Sequence, residues 1–208
     1  MKITTDNLTQ LAWDKMAGLL PCIVQDATSG KVLMQGYMNQ DAVNHSLEHG
    51  YITFFSRSKQ RLWTKGETSE HRLELVELSA DCDNDALIAL AHPHGPTCHT
   101  GTETCWHDNT AQPDISFITD LERIIASRKG ADADSSYTAS LYASGIKRIA
   151  QKVGEEGVET ALAATVQDLE ELKNESADLL YHLLVLLQAS NMELSDVIAV
   201  LKQRHGEG

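Results

Sequence analysis

The chain has few of the residues that mark specialised classes of protein. Four prolines and 13 glycines among 208 residues are too few for a collagen-like or low-complexity chain. Four cysteines are too few for a disulfide scaffold, and clustered thiols in a reducing compartment are more often metal ligands or catalysts. No apolar run approaches the roughly 20 residues of a membrane helix, and the amino-terminal segment lacks the apolar stretch of a secretory signal. We therefore expect a globular, cytoplasmic protein.

Basic residues are also scarce. The 17 Lys and Arg residues against 30 Asp and Glu residues give a formal net charge of -13 at pH 7. The field of such a chain repels nucleic acid and anionic membranes, so we expect neither as a partner. A phosphorylated ligand would need a local basic patch or a bound cation.

The composition changes near Gln112 and Pro113. All cysteines, all tryptophans and seven of the nine histidines lie before residue 112, whereas the rest is rich in Ala, Leu and Glu. The length fits one large or two small domains. We therefore predict two domains, at residues 1–112 and 113–208.

The first domain is predicted to be a β-rich α+β domain. Short β-like runs at 22–24, 32–34, 51–55 and 73–78 alternate with turn residues. One helix is predicted at Gln40–His49, with Asn39 as its cap and Gly50 as its left-handed stop.

The second domain is predicted to be all-α. Apolar residues recur at three- and four-residue spacing over 115–128, 144–166, 169–190 and 195–204. The polar, small residues at 130–140 predict a loop before the first long helix.

An acidic segment in the first domain suits a hard cation. Asp81, Asp83 and Asp85 alternate around Cys82. In an extended backbone the three carboxylates would share one face and Cys82 would point to the other. Such oxygen ligands suit Mg2+, whereas thiolate suits Zn2+. The alternative is an acidic turn without a metal.

Two more thiols, Cys98 and Cys105, lie in a Gly-rich stretch. Together with Cys82 they would supply three ligands from separate segments and leave an open position for water, as a catalytic zinc requires. Such a water loses a proton near neutral pH, and His99 is a candidate base or proton shuttle. The alternative is that these cysteines are ordinary small apolar residues, which is how we interpret Cys22.

A basic segment lies between these features. Arg57, Arg61 and Lys65 accompany several hydroxyl side chains within residues 54–69. This composition is that of a local phosphate site, but it is equally that of a solvated basic hairpin.

Five motifs in this half, in order, resemble phosphoribosyl-AMP cyclohydrolase of histidine biosynthesis. They are Val-Leu-Met-Gln-Gly-Tyr-Met-Asn at 32–39, Ser-Arg-Ser at 56–58, Leu-Trp-Thr-Lys-Gly-Glu-Thr-Ser at 62–69, the acidic segment at 81–85, and Gly-Pro-Thr-Cys-His at 95–99. Glu70 is a departure, because the family usually has Gly there, and Gly allows backbone angles that Glu resists.

The resemblance implies the site of this half. Zn2+ would be held by thiolates drawn from two subunits of a homodimer, at Cys82, Cys98 and Cys105, and Mg2+ by Asp81, Asp83 and Asp85. With His99 as the catalytic residue, we assign substrate binding to Ser56, Arg57, Lys65, Thr68 and Ser69.

The second half carries carboxylates at helical spacing on two consecutive predicted helices. They are Glu155, Glu156, Glu159, Glu175 and Asp178. If the helices pack antiparallel, these groups repel one another unless a divalent cation lies between them, which favours bound Mg2+. The alternative is a solvent-facing acidic stripe paired with Lys147, Arg148 and Lys152.

This helix pair resembles the all-α nucleotide pyrophosphohydrolases. More narrowly, residues 136–141 and 145–156 resemble phosphoribosyl-ATP pyrophosphatase, so the whole chain resembles the fused bifunctional enzyme of histidine biosynthesis. The resemblance implies a pyrophosphohydrolase-like second domain. Its Glu155 and Glu156 would be catalytic, and Lys147, Arg148 and Lys152 would meet the triphosphate.

The implied reactions follow one another. Mg2+-dependent hydrolysis would convert phosphoribosyl-ATP to phosphoribosyl-AMP and pyrophosphate, and zinc-activated hydroxide would then open the purine ring of phosphoribosyl-AMP. Two other functions stay open at this point. One is a nucleotide-pool pyrophosphohydrolase whose first half regulates it; the other is a zinc-dependent binding module fused to a helical dimerisation domain without turnover.

Overall fold

The computed structural model describes residues 1–106 and 112–206. The chain divides into two compact units, Met1–Ser116 and Phe117–Gly208. The strands lie in the first unit, and the second is helical. The predicted β-rich α+β and all-α classes are both confirmed.

Six strands lie in the described part of the first unit. They are β1 (Leu20–Asp26), β2 (Val32–Met38), β3 (Thr53–Ser56), β4 (Arg61–Thr64), β5 (Leu73–Ala80) and β6 (Leu87–Pro93). A four-stranded sheet has the order β2-β1-β6-β5, and β3 and β4 form a separate antiparallel hairpin. Strands β1 and β6 run parallel, whereas β1–β2 and β5–β6 are antiparallel pairs.

Alternation along β1 builds the core of this unit. Leu20, Cys22 and Val24 are completely buried, whereas Ile23 between them is 43% exposed. Successive side chains on a strand point to opposite faces, so one face of the sheet packs inward. The complete burial of Cys22 confirms it as a core residue, and this burial raises the pKa of its thiol to about 12.

Helix α1 (Gln40–His49) follows β2 and has the predicted bounds. The Asn39 side chain accepts a hydrogen bond of 2.9 Å from the backbone N–H of Ala42. Gly50 ends the helix with a φ of 74°, in the left-handed region that glycine adopts without steric cost. Both predicted ends are therefore confirmed.

Other segments hydrogen-bond to both outer strands of the sheet. The N–H of Cys105 donates to the carbonyl of Leu33 on β2 at 2.9 Å. On β5, the N–H of Ile3 donates to the carbonyl of Leu78 at 2.7 Å and that of Ile52 to Leu73 at 2.9 Å. The loop that carries a candidate zinc ligand is thus attached to the sheet at β2.

Five α-helices account for most of the second unit up to residue 206. They are α2 (Ser116–Ser127), α3 (Tyr137–Ser144), α4 (Ile146–Val166), α5 (Leu169–Ala189) and α6 (Leu194–Arg204). Their core consists of Ile125, Leu141, Ile149, Leu184 and Val185. Within residues 1–106 and 112–206, no single helix is long and apolar enough to cross a membrane; α5 and α6 pass that test only jointly, with a bend of 104° between them.

The predicted loop at 130–140 is wrong from Tyr137 onward, and the long helix does not start at residue 144. Helix α3 begins at Tyr137 because the Ser136 side chain accepts the N–H of Ala139 at 3.2 Å. Gly145, with a φ of 82°, then separates α3 from α4. Burial of Ala139 and Leu141 stabilises this extra helix.

Candidate active sites

A cavity of about 500 Å³ in the first unit collects six of the twelve predicted cyclohydrolase residues. Its walls are the end of β4, the loop at 65–71 and the loop at 96–105. The predicted residues that line it are Lys65, Thr68, Ser69, Cys98, His99 and Cys105.

Two thiols lie side by side in this cavity. The Thr100 hydroxyl donates to the sulfur of Cys98 at 3.2 Å, and this bond, with that from the Thr100 N–H, lowers the pKa of Cys98 to about 6. Cys105 also hydrogen-bonds to Cys98, and its own pKa is raised by burial and by the neighbouring negative charge. The Nδ1 atom of His99 lies 3.7 Å from the Cys98 sulfur. The lowered pKa favours the thiolate of Cys98, which is the form in which cysteine acts as a metal ligand or nucleophile.

Lys65 places a positive charge beside the thiols. It is 7% exposed, and its Nζ donates to the carbonyl of His71 at 3.0 Å. Burial lowers the pKa of Lys65, while the charges of Cys105 and Cys98 oppose that shift. The ammonium can therefore balance negative charge within the cavity.

The Lys65 loop depends on glycine at one position. Gly66 has a φ of 85°, and a Cβ atom built there would lie 2.5 Å from the carbonyl oxygen of His71. Glu70, at the end of the same loop, also has a left-handed φ, of 61°. Glu70 therefore occupies the conformation that the family's usual Gly adopts more readily.

Three carboxylates of the acidic segment converge: Asp81, Asp83 and Asp85, whose ligand atoms lie within 4.8 Å of one another. The predicted extended backbone is wrong, because the segment is a turn between β5 and β6. Asp81 Oδ1 closes it by accepting the N–H of Asp85 at 3.0 Å, and Asn84 adopts a φ of 61°. Lys15 forms ion pairs with Asp83 and Asp85, which raise the pKa of Lys15.

The other predicted residues of this half lie elsewhere. Cys82 is exposed in the acidic turn, and within residues 1–106 and 112–206 no cysteine belongs to a group of three ligand atoms close enough for one ion. The Arg57 guanidinium lies over the ring of Tyr37, 4.0 Å from its centroid. The Ser56 hydroxyl is 3.4 Å from that of Ser58, and neither Ser56 nor Arg57 lines the cavity.

A second carboxylate group lies between α4 and α5. The ligand atoms of Glu156, Glu175 and Asp178 lie within 4.8 Å of one another, and Glu156 is 4% exposed. Desolvation, together with the nearby carboxylates of Glu156, Glu159 and Glu171, raises the pKa of Glu175 to about 7. The group therefore has a deficit of positive charge that a cation would correct.

Among the remaining predicted residues of α4, Lys152 contacts this group directly. Lys152 pairs with Glu156 at 2.5 Å and with Glu155 at 3.1 Å, and Arg148 lies 3.4 Å from Glu155. Glu155 and Glu159 are outside the 4.8 Å group, although Glu159 acts on the pKa of Glu175. Lys147 is exposed.

Two family models match the chain, one in each half. That of phosphoribosyl-AMP cyclohydrolase matches residues 34–107, and that of phosphoribosyl-ATP pyrophosphohydrolase matches residues 118–205. Curated relatives named histidine biosynthesis bifunctional protein HisIE match almost end to end. That of Escherichia coli K12 is 59% identical over 203 residues, which are 98% of this chain and 99% of the relative. The chain belongs to the HisIE family.

Further relatives agree. The HisIE protein of Photorhabdus laumondii is 60% identical over 97% of this chain and 100% of its own length. That of Shewanella oneidensis is 58% identical over 97% and 94%. Membership of the HisIE family confirms the predicted bifunctional hydrolase of histidine biosynthesis, with a cyclohydrolase and a pyrophosphohydrolase domain, against the two alternatives.

One buried residue beside the carboxylate group of the helical unit escaped the sequence analysis. His182 is 3% exposed and lies one helical turn after Asp178 on α5. Its Nε2 is 3.0 Å from the hydroxyl of Tyr137, and its Nδ1 is 2.9 Å from the carbonyl of Asp178. The four-residue spacing from Asp178 was the available signal, since such residues share a helix face.

Proposed function

We propose that residues 1–112 form the domain that opens the purine ring of phosphoribosyl-AMP, and that residues 113–208 form the domain that produces this substrate from phosphoribosyl-ATP. The observation that carries the proposal is the cavity in which Cys98, Cys105 and His99 lie together with Lys65. Thiolate ligands, a titratable imidazole and a cation are the groups that a metal-dependent hydrolysis of an anionic substrate requires.

Zn2+ would be held by Cys98, Cys105 and the Cys82 of a second copy. The lowered pKa of Cys98 supports this assignment, since zinc binds thiolate. When bound, zinc supplies Lewis acidity that lowers the pKa of a water molecule. Because a single chain brings only two of its thiols to the cavity, the complete ligand set favours a homodimer. All four cysteines are free thiols, which fits the reducing cytoplasm as the location of the protein.

Exposed apolar residues on α4 favour the same homodimer. Val158, Leu162 and Val166 recur every four residues and are 61%, 59% and 73% exposed, and Leu169 at the start of α5 is 66% exposed. Residues four apart share a helix face, so these side chains form one apolar stripe. Burial of that stripe against a second copy would remove it from water.

The chain's own side chains would bind the substrate and move protons in the ring opening. His99 lines the cavity beside Cys98 and would transfer a proton to or from the reacting ring. Lys65, Thr68 and Ser69 would hold phosphorylated substrate, and we propose Ser56 and Arg57 as further substrate contacts outside the cavity. Mg2+ would be held by Asp81, Asp83 and Asp85.

In the helical domain, Mg2+ would be held by Glu156, Glu175 and Asp178, with Glu155 and Glu159 as further ligands. Convergence of the first three and the raised pKa of Glu175 support this assignment. When bound, Mg2+ neutralises triphosphate charge and helps to orient the attacking water. Glu155 and Glu156 would be the catalytic carboxylates there, and Lys147, Arg148 and Lys152 would contact the triphosphate.

The decisive experiment is incubation with phosphoribosyl-ATP, Mg2+ and Zn2+, with nucleotide masses and pyrophosphate followed together. We expect pyrophosphate and a product one water heavier than phosphoribosyl-AMP. Cys98→Ala should release pyrophosphate but accumulate phosphoribosyl-AMP. Glu175→Gln should release none, yet still open added phosphoribosyl-AMP. Loss of both activities in either folded variant would contradict the proposed division between the halves.

A further inference from the structure

A buried imidazole beside the carboxylate group contacts residues of three helices. His182 lies on α5, its partner Tyr137 on α3, and the Glu156 carboxylate beside it on α4. Its side chain and that of Glu156 are 4% and 5% exposed, so both are shielded from water. A polar side chain in such a place needs partners, because an unsatisfied buried donor or acceptor is costly.

The partners determine which ring nitrogen carries the proton. Nδ1 lies 2.9 Å from the carbonyl oxygen of Asp178, which can only accept, so Nδ1 is the donor. In the tautomer with the proton on Nδ1, Nε2 accepts from the hydroxyl of Tyr137 at 3.0 Å. Tyr137 and Tyr181 also contact the ring edge-on, with centroid distances of 6.0 and 5.2 Å. The ring of His182 therefore has one defined orientation.

In that orientation the N–H of His182 faces the carboxylate group. Nδ1 lies 3.6 Å from Oε1 of Glu156, beyond a hydrogen bond but close enough for the positive end of the N–H dipole to attract the carboxylate. The same N–H holds the carbonyl of Asp178, whose side chain belongs to the group. His182 is thus next to the Glu156 carboxylate and is anchored on the backbone of Asp178, without being one of the three converging groups.

We propose that His182, oriented by Tyr137 and anchored on the backbone carbonyl of Asp178, is a positioning residue that holds the Glu156 carboxylate in the arrangement that binds the divalent cation. This inference rests on the proposed metal site of the helical domain. Groups that orient metal ligands commonly contribute tenfold to a hundredfold to metal affinity. A merely structural His182 would contribute to folding stability and leave the affinity unchanged.

The chain offers a matched pair of variants. Tyr137→Phe and Tyr181→Phe each remove one phenol hydroxyl from a hydrogen bond between α3 and α5: Tyr137 to His182 at 3.0 Å, and Tyr181 to Thr138 at 2.7 Å. The two variants should therefore lose similar amounts of folding stability. Of the two, Tyr137→Phe is the variant that removes a hydrogen bond from the ring of His182.

The test measures Mn2+ binding to the full chain without nucleotide, from the loss of the free-ion electron paramagnetic resonance signal. Binding at the helical site is the difference between the intact chain and Glu175→Gln. We expect His182→Leu to weaken it about tenfold or more, and Tyr137→Phe to weaken it less. His182→Asn should retain more affinity than the Leu variant, because the Asn amide can replace the Nδ1 donor. Tyr181→Phe should bind as the intact chain does.

Equal affinity in the intact chain, His182→Leu and Tyr137→Phe would overturn the proposal. Should His182→Leu fail to fold, the comparison of Tyr137→Phe with Tyr181→Phe decides: equal affinities refute the positioning role, and a loss confined to Tyr137→Phe supports it. If Glu175→Gln binds as much Mn2+ as the intact chain, the helical metal site itself is wrong and the inference fails with it. A failure of the positioning role alone is therefore distinguishable from a failure of the metal site, because Glu175→Gln tests the site and the His182 and Tyr137 variants test the role.

Discussion

Replacement of Gly66 by alanine should damage the cyclohydrolase half through the backbone alone. Gly66 has a φ of 85°, and an added Cβ would lie 2.5 Å from the carbonyl oxygen of His71 and 2.7 Å from the nitrogen of Arg72. The left-handed conformation costs an L-residue about 1–2 kcal/mol. Relief of the backbone overlap adds about 1–3 kcal/mol, the usual cost of overpacking. We expect a total loss of about 2–5 kcal/mol in the free energy of unfolding.

Gly101 is the matched control for Gly66. It lines the same cavity with a φ of 89°, but a Cβ there meets no atom within 4 Å, so Gly101→Ala should cost only about 1–2 kcal/mol. Urea unfolding followed by tryptophan fluorescence reports this half selectively, because all three tryptophans precede residue 107. Equal unfolding midpoints for the two variants would refute the steric argument.

The substitution should also change activity in one half only. The carbonyl of His71 accepts the hydrogen bond from Lys65, so a displaced His71 moves the ammonium away from the thiols. We expect ring opening to fall more in Gly66→Ala than in Gly101→Ala, with pyrophosphate release unchanged in both. Equal ring-opening rates in the two variants would show that the position of His71 does not matter for Lys65.

Three further predictions concern titration and backbone strain. Because the pKa of Glu175 is raised from 4.5 to about 7, its contribution to metal-free stability is present below pH 4.5 and is lost as the pH rises through 7. In EDTA, the melting temperature of Glu175→Gln relative to that of the intact chain should therefore rise between these two pH values. A difference in melting temperature that stays constant with pH would contradict this. Without metal, the rate at which iodoacetamide alkylates Cys98 should have its pH midpoint near 6, whereas Cys22 should hardly react. Thr100→Val should raise the pH midpoint of Cys98. An unchanged midpoint would exclude Thr100 as the cause of the lowered pKa. Glu70→Gly should raise the free energy of unfolding by up to about 1 kcal/mol, and with it the urea midpoint, because it relieves a left-handed φ of 61°. A lower urea midpoint would show that the Glu70 side chain makes an offsetting contribution.

Features with strong local signals were predictable from the sequence. Helix α1 has the predicted bounds because Asn39 and Gly50 fix its ends through their own conformations. Helix α3 was missed because Ser136, Tyr137 and Thr138 are polar and typical of loops, while its stability comes from burial of Leu141 against the other helices. Local composition carries no information about such tertiary contacts.

The chemistry of the sites was more predictable than their geometry. The acidic turn contains the three aspartates named from the sequence, but they converge because Asp81 closes a turn and not because a strand alternates. From the sequence, Glu155, Glu156 and Glu159 on α4 were all candidate metal ligands. The packing of α4 against α5 brings Glu156 close to Glu175, and this contact depends on how each helix is rotated about its own axis.

The attachment of Cys105 to the sheet has a consequence for solubility. Strand β2 is an outer strand, and outer strands present unpaired backbone groups that can pair with another molecule. Because the N–H of Cys105 occupies the carbonyl of Leu33, the thiol-bearing loop also shields part of this outer strand. A change that loosens the loop would therefore uncover a template for intermolecular strand pairing as well as displace the thiol of Cys105. The order of the thiol loop and the protection of this outer strand against aggregation thus depend on the same backbone hydrogen bond.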